Sequence, residues 1–270
     1  GARMGLNFLA LFAGAIADRM SRQLLLTAVE FVMACIGLLM LGLILTGLLQ
    51  VWHIFIITLF SGLVRMFQTP SAQSLVADTL TEDRISNGAA LTSMGMNLST
   101  IVGPLLGGFL FQGFGPQGAY AAIVLLYSLS GISALLVRTS RTTTPQGRES
   151  MFSTTLQGLR YVKGHQVLWA TLLVAVIANF TGWPFHTSLM PIFARDVLGT
   201  GSAGLGMLMS AFGIGALAGS VSLASVRNLR HTGKFLLIAV VAWHGTMVAF
   251  SASTSIYLSL GILVMTGIAF

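Results

Sequence analysis

Charged side chains are scarce in this sequence. Only 8% of the 270 residues are charged and 55% are hydrophobic, whereas a soluble domain carries roughly 25% charged residues. So few charges cannot cover the surface of a water-soluble domain, and the mean hydropathy of +0.87 agrees with this. The composition therefore excludes a soluble globular protein, and its apolar character also excludes a disordered chain.

Cysteine is almost absent, since Cys35 is the single one. One cysteine cannot form an intrachain disulfide, which excludes a disulfide-stabilised scaffold. What the chain does contain is apolar runs of about 20 residues, the length of a membrane-spanning helix. Barrel strands would instead give alternating runs of about 10 residues. The sequence thus predicts an all-α membrane protein.

Nine apolar segments can be marked along the chain. They cover residues 1–17, 23–49, 51–76, 88–112, 117–138, 167–194, 202–226, 233–252 and 255–270. The chain begins without methionine and stops inside the last segment, so we expect a fragment of a longer protein. A polar stretch follows the fifth segment, which predicts three parts: an N-terminal bundle (1–138), a linker with an interfacial helix (139–166) and a C-terminal bundle (167–270).

Basic residues are distributed unevenly between the two sets of loops. Eleven of the 14 lysines and arginines lie in or beside one set, and the alternate loops contain only Arg195. Short loops rich in Lys and Arg stay in the cytoplasm. We therefore expect a multi-pass protein of the inner (cell) membrane, with these loops cytoplasmic: 18–22, 77–87, 139–166 and 227–234. The basic excess reports orientation in the bilayer, and a nucleic-acid partner is not needed to explain it.

A short charged turn joins the first two segments. An acid and two arginines at the membrane face are either snorkelling side chains or a latch that holds one bundle against the other. The turn resembles the loop G-x-x-x-D-R-x-G-R-[KR] of the major facilitator superfamily, although Ser21 replaces a glycine and Gln23 a basic residue. The matching residues are Gly14, Asp18, Arg19 and Arg22. The resemblance implies a gating loop that stabilises an outward-facing state.

Arg65 lies well inside the third segment, with Gln68 one turn further on. An arginine in a span costs roughly 2.5–3.5 kcal/mol on insertion scales and is normally kept for a pathway or pairing role. The alternative is a structural arginine bonded to helix carbonyls. The pair resembles the family's helix-four motif R-x-x-Q-G, with Thr69 in place of the glycine, which implies a role in proton transfer or substrate orientation.

Small residues and a proline mark the fourth segment. Pro104 bends a helix, and glycines spaced by four allow close approach of another backbone. We predict that the row of small residues on the fourth segment packs against a similar row on the seventh, across the two bundles. The alternative is a small-residue packing face that has no role in antiport. The residues are Gly95, Ser99, Gly103, Pro104, Gly107 and Gly108, with Ala211, Gly215 and Gly219. The fourth segment resembles the helix-five antiporter signature of exporting family members, G-x-x-x-G-P-x-x-G-G, with Ser99 in place of the first glycine.

Further polar residues occur inside the apolar segments. Glu30 is the one acid plainly within a span, which makes it a candidate proton relay, or a side chain that reaches water or a loop arginine. Asn97, Asn179 and His244 either line a central cavity or bond between helices. No metal-ligand cluster, nucleotide-binding motif or nucleophile constellation is found, so we expect no cofactor, no metal and no catalytic residue.

The whole chain resembles the enterobactin-exporter branch of the superfamily, the transmembrane secretion effectors. The residues that carry this resemblance lie at 158–162, 191–199, 204–206 and 213–219. It implies a major facilitator bundle of two pseudo-symmetric halves, present here as family helices two to ten. It also implies proton-coupled efflux of small, drug- or siderophore-like molecules by a monomer, with the substrate, protons and lipid as partners. An uptake symporter, a non-transporting scaffold and a membrane enzyme remain alternatives.

Overall fold

The computed structural model describes residues 21–80, 84–137, 161–225 and 232–270, and these ranges contain helices and no strand. Eight α-helices and one π-helical turn, Phe185–Leu189, follow each other along the described chain. The helices are α1 (Arg22–Leu45), α2 (Val51–Thr79), α3 (Ile85–Leu136), α4 (Gln166–Pro184), α5 (Met190–Asp196), α6 (Ser202–Ala224), α7 (Thr232–Ser251) and α8 (Ile256–Ala269).

These helices coincide with the predicted apolar segments. Eight of the nine segments fall on them, and the first, 1–17, lies outside the described residues. Within the described ranges, six helical stretches are long and apolar enough to cross a membrane, and Ile256–Ala269 is a shorter apolar helix. The predicted fold class, an all-α multi-pass membrane protein, is confirmed.

Helix α3 contains a break that separates two predicted segments. Gly115 has a φ of +70°, a left-handed conformation inside an otherwise helical run. The residues before it form the first arm of α3 (85–114), and those after it form the second arm (116–136). The two arms correspond to the predicted segments 88–112 and 117–138.

A second irregularity follows Pro184, inside the span that α4 begins. Pro184 lacks an N–H, so it cannot donate the regular hydrogen bond to the preceding turn. The next five residues, Phe185–Leu189, form a π-helical turn. Such turns are rare, and they occur frequently at functional sites.

The described chain divides into two compact units. Unit 1 contains α1, α2, the start of α3 up to Ser93 and the second arm of α3; its core includes Leu26, Leu75 and Ala134. Unit 2 contains residues 94–113 and all described residues from 161 onwards. Its buried core is formed by Met190, Ala194, Leu208, Ala211, Phe250 and Leu263. The predicted domain limits, with a linker at 139–166, stay a prediction.

Many serine and threonine hydroxyls bond within their own helix. Thr92, Ser99 and Thr100 on the first arm of α3 each donate to the carbonyl four residues earlier, at 2.8–2.9 Å. Thr171 on α4 and Ser222 on α6 do the same. These bonds satisfy the hydroxyl hydrogens where no water is available.

Candidate functional site

An ion pair joins the beginning of α1 to the end of α2 in unit 1. Arg22 Nη1 lies 3.0 Å from Asp78 Oδ1 and 3.1 Å from Oδ2. The Asp78 side chain is 12% exposed and that of Arg22 37%, so the pair is partly shielded from water. Arg22 belongs to the predicted gating loop; the other three members, Gly14, Asp18 and Arg19, lie outside the described residues.

The same end of unit 1 also holds the end of α3. Gln23 Nε2 donates to the carbonyls of Ala134 and Leu135, at 3.2 and 2.9 Å. The start of α1 and the ends of α2 and α3, which the charge pattern assigns to the cytoplasmic side, therefore meet at one end of this unit.

A polar cluster lies further along α1. Gln68 Nε2 on α2 donates to Glu30 Oε1 on α1 at 2.8 Å, and Glu30 is only 4% exposed. Tyr127, on the second arm of α3, interacts electrostatically with both Arg65 and Glu30. Three predicted pathway residues, Glu30, Arg65 and Gln68, thus belong to one cluster, and three segments of unit 1 contribute to it.

Sequence reasoning missed two partners in unit 1. Asp78 could have been identified from the sequence, because it is an acid at the same predicted membrane face as the basic Arg22. Tyr127 sits in an apolar run, and no sequence pattern connects it to Glu30 or Arg65. Only the packing of the second arm of α3 shows that relation.

In unit 2 the first arm of α3 packs closely on α6. A Cβ added at Gly108 would lie 2.5 Å from the Ser202 carbonyl oxygen, and one added at Gly206 would meet the Pro104 carbonyl. Side chains larger than hydrogen do not fit there without moving a backbone. These two glycines allow the helices to approach at backbone contact, as the sequence predicts for small residues in a span.

Two hydrogen bonds fix the register of this contact. Ser210 Oγ on α6 donates to the carbonyl of Ile101 at 2.5 Å, just before Pro104. The carbonyl that Pro104 leaves without its regular helical donor is that of Thr100, four residues earlier, and Ser210 binds the next carbonyl of the same turn. At the far end, the backbone N–H of Ala203 donates to Gln112 Oε1 at 3.0 Å.

The predicted small-residue stripes are not brought together directly. A Cβ added at Gly95, Gly103 or Gly107 meets nothing within 4 Å, and the contact runs through Pro104 and Gly108 on the neighbouring face. On α6, Ala211 is buried in the unit 2 core. Gly215 and Gly219 face α8, where an added Cβ would meet the backbones of Val264 and Ile268. Packing of these stripes across the two bundles stays a prediction.

The three remaining pathway candidates all lie in unit 2. Asn179 is exposed and donates to the Ala175 carbonyl of its own helix at 2.9 Å. His244 Nε2 on α7 lies 2.8 Å from Thr181 Oγ1 on α4, so this histidine links two helices. Asn97 is half-buried on the first arm of α3, with no hydrogen bond to either of them among the described residues.

No group of three or more histidine, cysteine or acidic side chains in the described ranges is arranged to hold a metal ion. The polar residues that the structure does assemble are those of a membrane bundle: a buried acid, an amide, an arginine and a tyrosine in unit 1, and hydroxyl and histidine bonds between helices in unit 2.

Comparisons with known proteins agree with this architecture. The family model described as transmembrane secretion effector matches residues 1–270. The chain is 26% identical over 239 residues to multidrug resistance protein MdtG of Klebsiella pneumoniae, covering 85% of this chain and 54% of that protein. It is 25% identical over 235 residues to the uncharacterized MFS-type transporter YkuC of Bacillus subtilis, covering 79% of this chain and 52% of the relative. The chain thus spans about half the length of these curated relatives.

Solved structures show the same fold. A bacterial homologue of the human lysosomal transporter Spinster, in an inward-facing and unoccupied conformation, superposes with a TM-score of 0.71 at 17% identity, covering 96% of this chain and 61% of the other. The occupied inward-facing form of that transporter gives a TM-score of 0.66 at 18% identity, with coverage of 94% and 58%. The chain belongs to the transmembrane secretion effector family of the major facilitator superfamily, whose members are transporters and not enzymes.

Proposed function

We propose that this protein exports small molecules by secondary active transport, coupled to protons, through alternating access of its two halves. The observation that carries the proposal is the buried carboxyl of Glu30, bonded to Gln68 within a membrane span. An ionisable group at such a position is expensive and is a functional-site hypothesis by default. The relatives named multidrug resistance proteins support export over uptake.

Gln68 is a suitable hydrogen-bond partner for the Glu30 carboxyl group if that group gains and loses a proton during transport. Its amide offers two N–H donors and one carbonyl acceptor. The amide N–H of Gln68 donates to Oε1 of Glu30 at 2.8 Å, which is the bond that an ionised carboxylate accepts. A protonated Glu30 would donate its O–H to the amide oxygen after the amide turns over. Both states of Glu30 therefore retain a hydrogen bond in a site without bulk water.

Arg65 supplies a positive charge to the same cluster, since both Arg65 and Glu30 act electrostatically on Tyr127. Its side chain is exposed on the surface of the described chain, so within a span it faces either lipid or a water-filled cavity. The insertion penalty of an arginine strongly favours the cavity. We assign Arg65 and Gln68 to the polar pathway, with Asn97, Asn179 and His244 as further lining residues for the transported molecule.

The inner end of unit 1 fits a latch. Arg22 is already engaged with Asp78, and we infer that Asp18 and Arg19 complete a charge network that stabilises the outward-facing state. The tight contact at Pro104, Gly108 and Gly206 supplies a rigid helix pair about which opening takes place. In this scheme the basic loops are cytoplasmic, the bilayer is the inner membrane and the transporter works as a monomer.

The proposal is tested with the natural full-length protein in proteoliposomes under an imposed pH gradient. Hydrophobic dyes and catecholate siderophores serve as trial substrates. We expect gradient-driven transport by the wild type, and Glu30→Gln should reduce it to the level of protein-free liposomes while exchange without a gradient continues.

Asp196→Asn is the matched control, because Asp196 is an exposed acid whose partner is the adjacent Arg195. This variant should keep the transport rate of the wild type. Gradient-driven transport by Glu30→Gln at the wild-type rate would refute the assignment of Glu30. Accumulation in the opposite direction would replace export by uptake.

A further inference from the structure

His186 is the buried histidine of unit 2. It is 9% exposed and lies in the π-helical turn that follows Pro184. Its Nε2 atom has no hydrogen-bond partner among the described residues. Buried polar atoms are nearly always bonded, and those that are not require an explanation. The proposed transport pathway does not use this residue.

Aromatic rings surround His186. The Phe212 ring on α6 is 4.2 Å away between centroids, and that of Phe185 is 5.0 Å away. The indole of Trp243 on α7 is parallel to the imidazole within 9°, at 6.3 Å. Trp243 is 4% exposed, and its Nε1 also has no hydrogen-bond partner in the described part of the chain. The cluster therefore holds two unbonded polar atoms in an apolar shell.

Charged groups are distant from this cluster on every helix packed against it. Residues 94–113 and the described residues of α6 contain no ionisable side chain. On α7 the groups are Lys234, about 14 Å along the helix from Trp243, and His244, whose ring is 5.0 Å from that of Trp243. Helix α8 offers only Tyr257. On the same span as His186, the nearest charged residues are Arg195 and Asp196, about 14–15 Å away along the helix.

A proton on His186 would place a cation in this shell, where the described residues provide no carboxylate partner. Aromatic ring faces attract a cation, but both imidazolium N–H groups also need acceptors. Neutral imidazole therefore suits the packed cluster, and the imidazolium suits a state in which water reaches Nε2. The local backbone favours such a change, because Pro184 removes a hydrogen bond and the π-helical turn departs from regular helix geometry.

We propose that His186 is a proton-binding site of unit 2, and that protonation loosens its contact with Phe212 and Trp243. The inference rests on the proposed proton coupling and adds a second site, in the other unit from Glu30. Asp196 lies at the end of this span that the loop charges assign to the outer side. His186 is about 15 Å from Asp196 along the helix axis. Unit 2 would therefore take its proton from outside when it opens.

The test follows Trp243 directly by ¹⁹F NMR. The natural full-length protein is labelled with 5-fluorotryptophan, and the Trp243 resonance is assigned with Trp243→Phe. We expect this resonance to shift as the pH is lowered and the imidazole takes up its proton. The contribution of His186 to this shift should disappear in His186→Gln and persist in His244→Gln, which is the control for the second histidine beside Trp243.

Two outcomes overturn the inference: a Trp243 resonance that does not respond to pH in the wild type, or a response of the His244→Gln protein that survives when His186→Gln is added. Transport driven by an imposed pH gradient in proteoliposomes tests the proposed proton coupling independently of the His186 site. If the resonance titrates through His186 but an imposed pH gradient drives no transport, the proton site stands and the proposed coupling fails. If the gradient drives transport but the resonance is silent, the coupling stands without His186.

Discussion

At the scale of single residues, the Arg22–Asp78 pair has an unusual placement. Arg22 is the first residue of α1 and Asp78 is next to the last residue of α2. A helix has partial positive charge at its N-terminus and partial negative charge at its C-terminus. Each side chain therefore lies at the unfavourable end of its own helix, and the ion pair offsets both penalties.

Removal of one partner should leave the other charge unfavourable. We expect Arg22→Gln or Asp78→Asn to lower stability by less than about 1 kcal/mol, because the loss of a partly shielded ion pair is partly offset by the removal of one charge from an unfavourable helix end. The exchange variant Arg22→Asp with Asp78→Arg should be at least as stable as the wild type, because each charge then suits its helix end. Thermal unfolding of the detergent-purified protein measures both effects, and an exchange variant as unstable as the single ones would contradict the argument.

The residue scale also shows what a sequence can reveal about a site. Glu30, Arg65 and Gln68 were found because charge and amide groups are rare in apolar segments, so each stands out by its chemistry alone. Tyr127 does not stand out, since tyrosine is common at the ends of spans, and His186 is one of five histidines scattered along the chain. Their roles depend on which rings and charges surround them, and no local pattern encodes that.

At the scale of helices, the sequence predicts a small-residue contact but not its face. The fourth segment has small residues at 95, 99, 103 and 107, and a second row runs through Thr100, Pro104 and Gly108. Both rows have the spacing of one helix face. The α6 contact uses the second row, and Ser210 binds the carbonyl of Ile101 beside it.

Adjacent glycines give a direct test of this contact. Gly108→Ala should destabilise the protein by about 1–3 kcal/mol, the usual cost of overpacking, because its Cβ would meet the Ser202 carbonyl oxygen at 2.5 Å. Gly107→Ala is the control: its Cβ meets nothing within 4 Å, and alanine favours a helix by up to about 1 kcal/mol over glycine.

The measurement is the thermal stability of both variants, together with their transport rates. Equal stability of the two variants would show that the α3–α6 contact does not restrict residue size at Gly108. A stable Gly107→Ala variant that no longer transports would instead favour the predicted packing of the first row in another state of the cycle.

At the scale of the whole molecule, apolar length and loop charge predicted most of the architecture. Eight of nine segments coincide with described helices because a bilayer demands both an apolar surface and internal backbone bonding. In unit 1, the helix ends that the loop charges assign to the cytoplasmic side meet at Arg22, Asp78 and Gln23. The sequence could not predict that residues 94–113 pack with the C-terminal part, since apolar helices carry little directional information.

The predicted orientation can be tested by labelling cysteines in intact cells. Cys35→Ser removes the single cysteine, and Arg84→Cys or Asp196→Cys then introduces one in a predicted inner or outer loop. A membrane-impermeant maleimide should label Asp196→Cys in intact cells and Arg84→Cys only after permeabilisation. Labelling of Arg84→Cys in intact cells would reverse the assignment of sides.

The hydroxyls that donate to their own helices have a consequence for recognition. Once the hydrogen of Ser99 or Thr100 is committed to a carbonyl of its own helix, the side chain offers other molecules only its oxygen lone pairs. A compound that meets such a surface finds acceptors and few donors. Protonated amines and other donor-rich molecules are therefore better matched to these helices than carboxylates or phosphates, although the chain as a whole is basic.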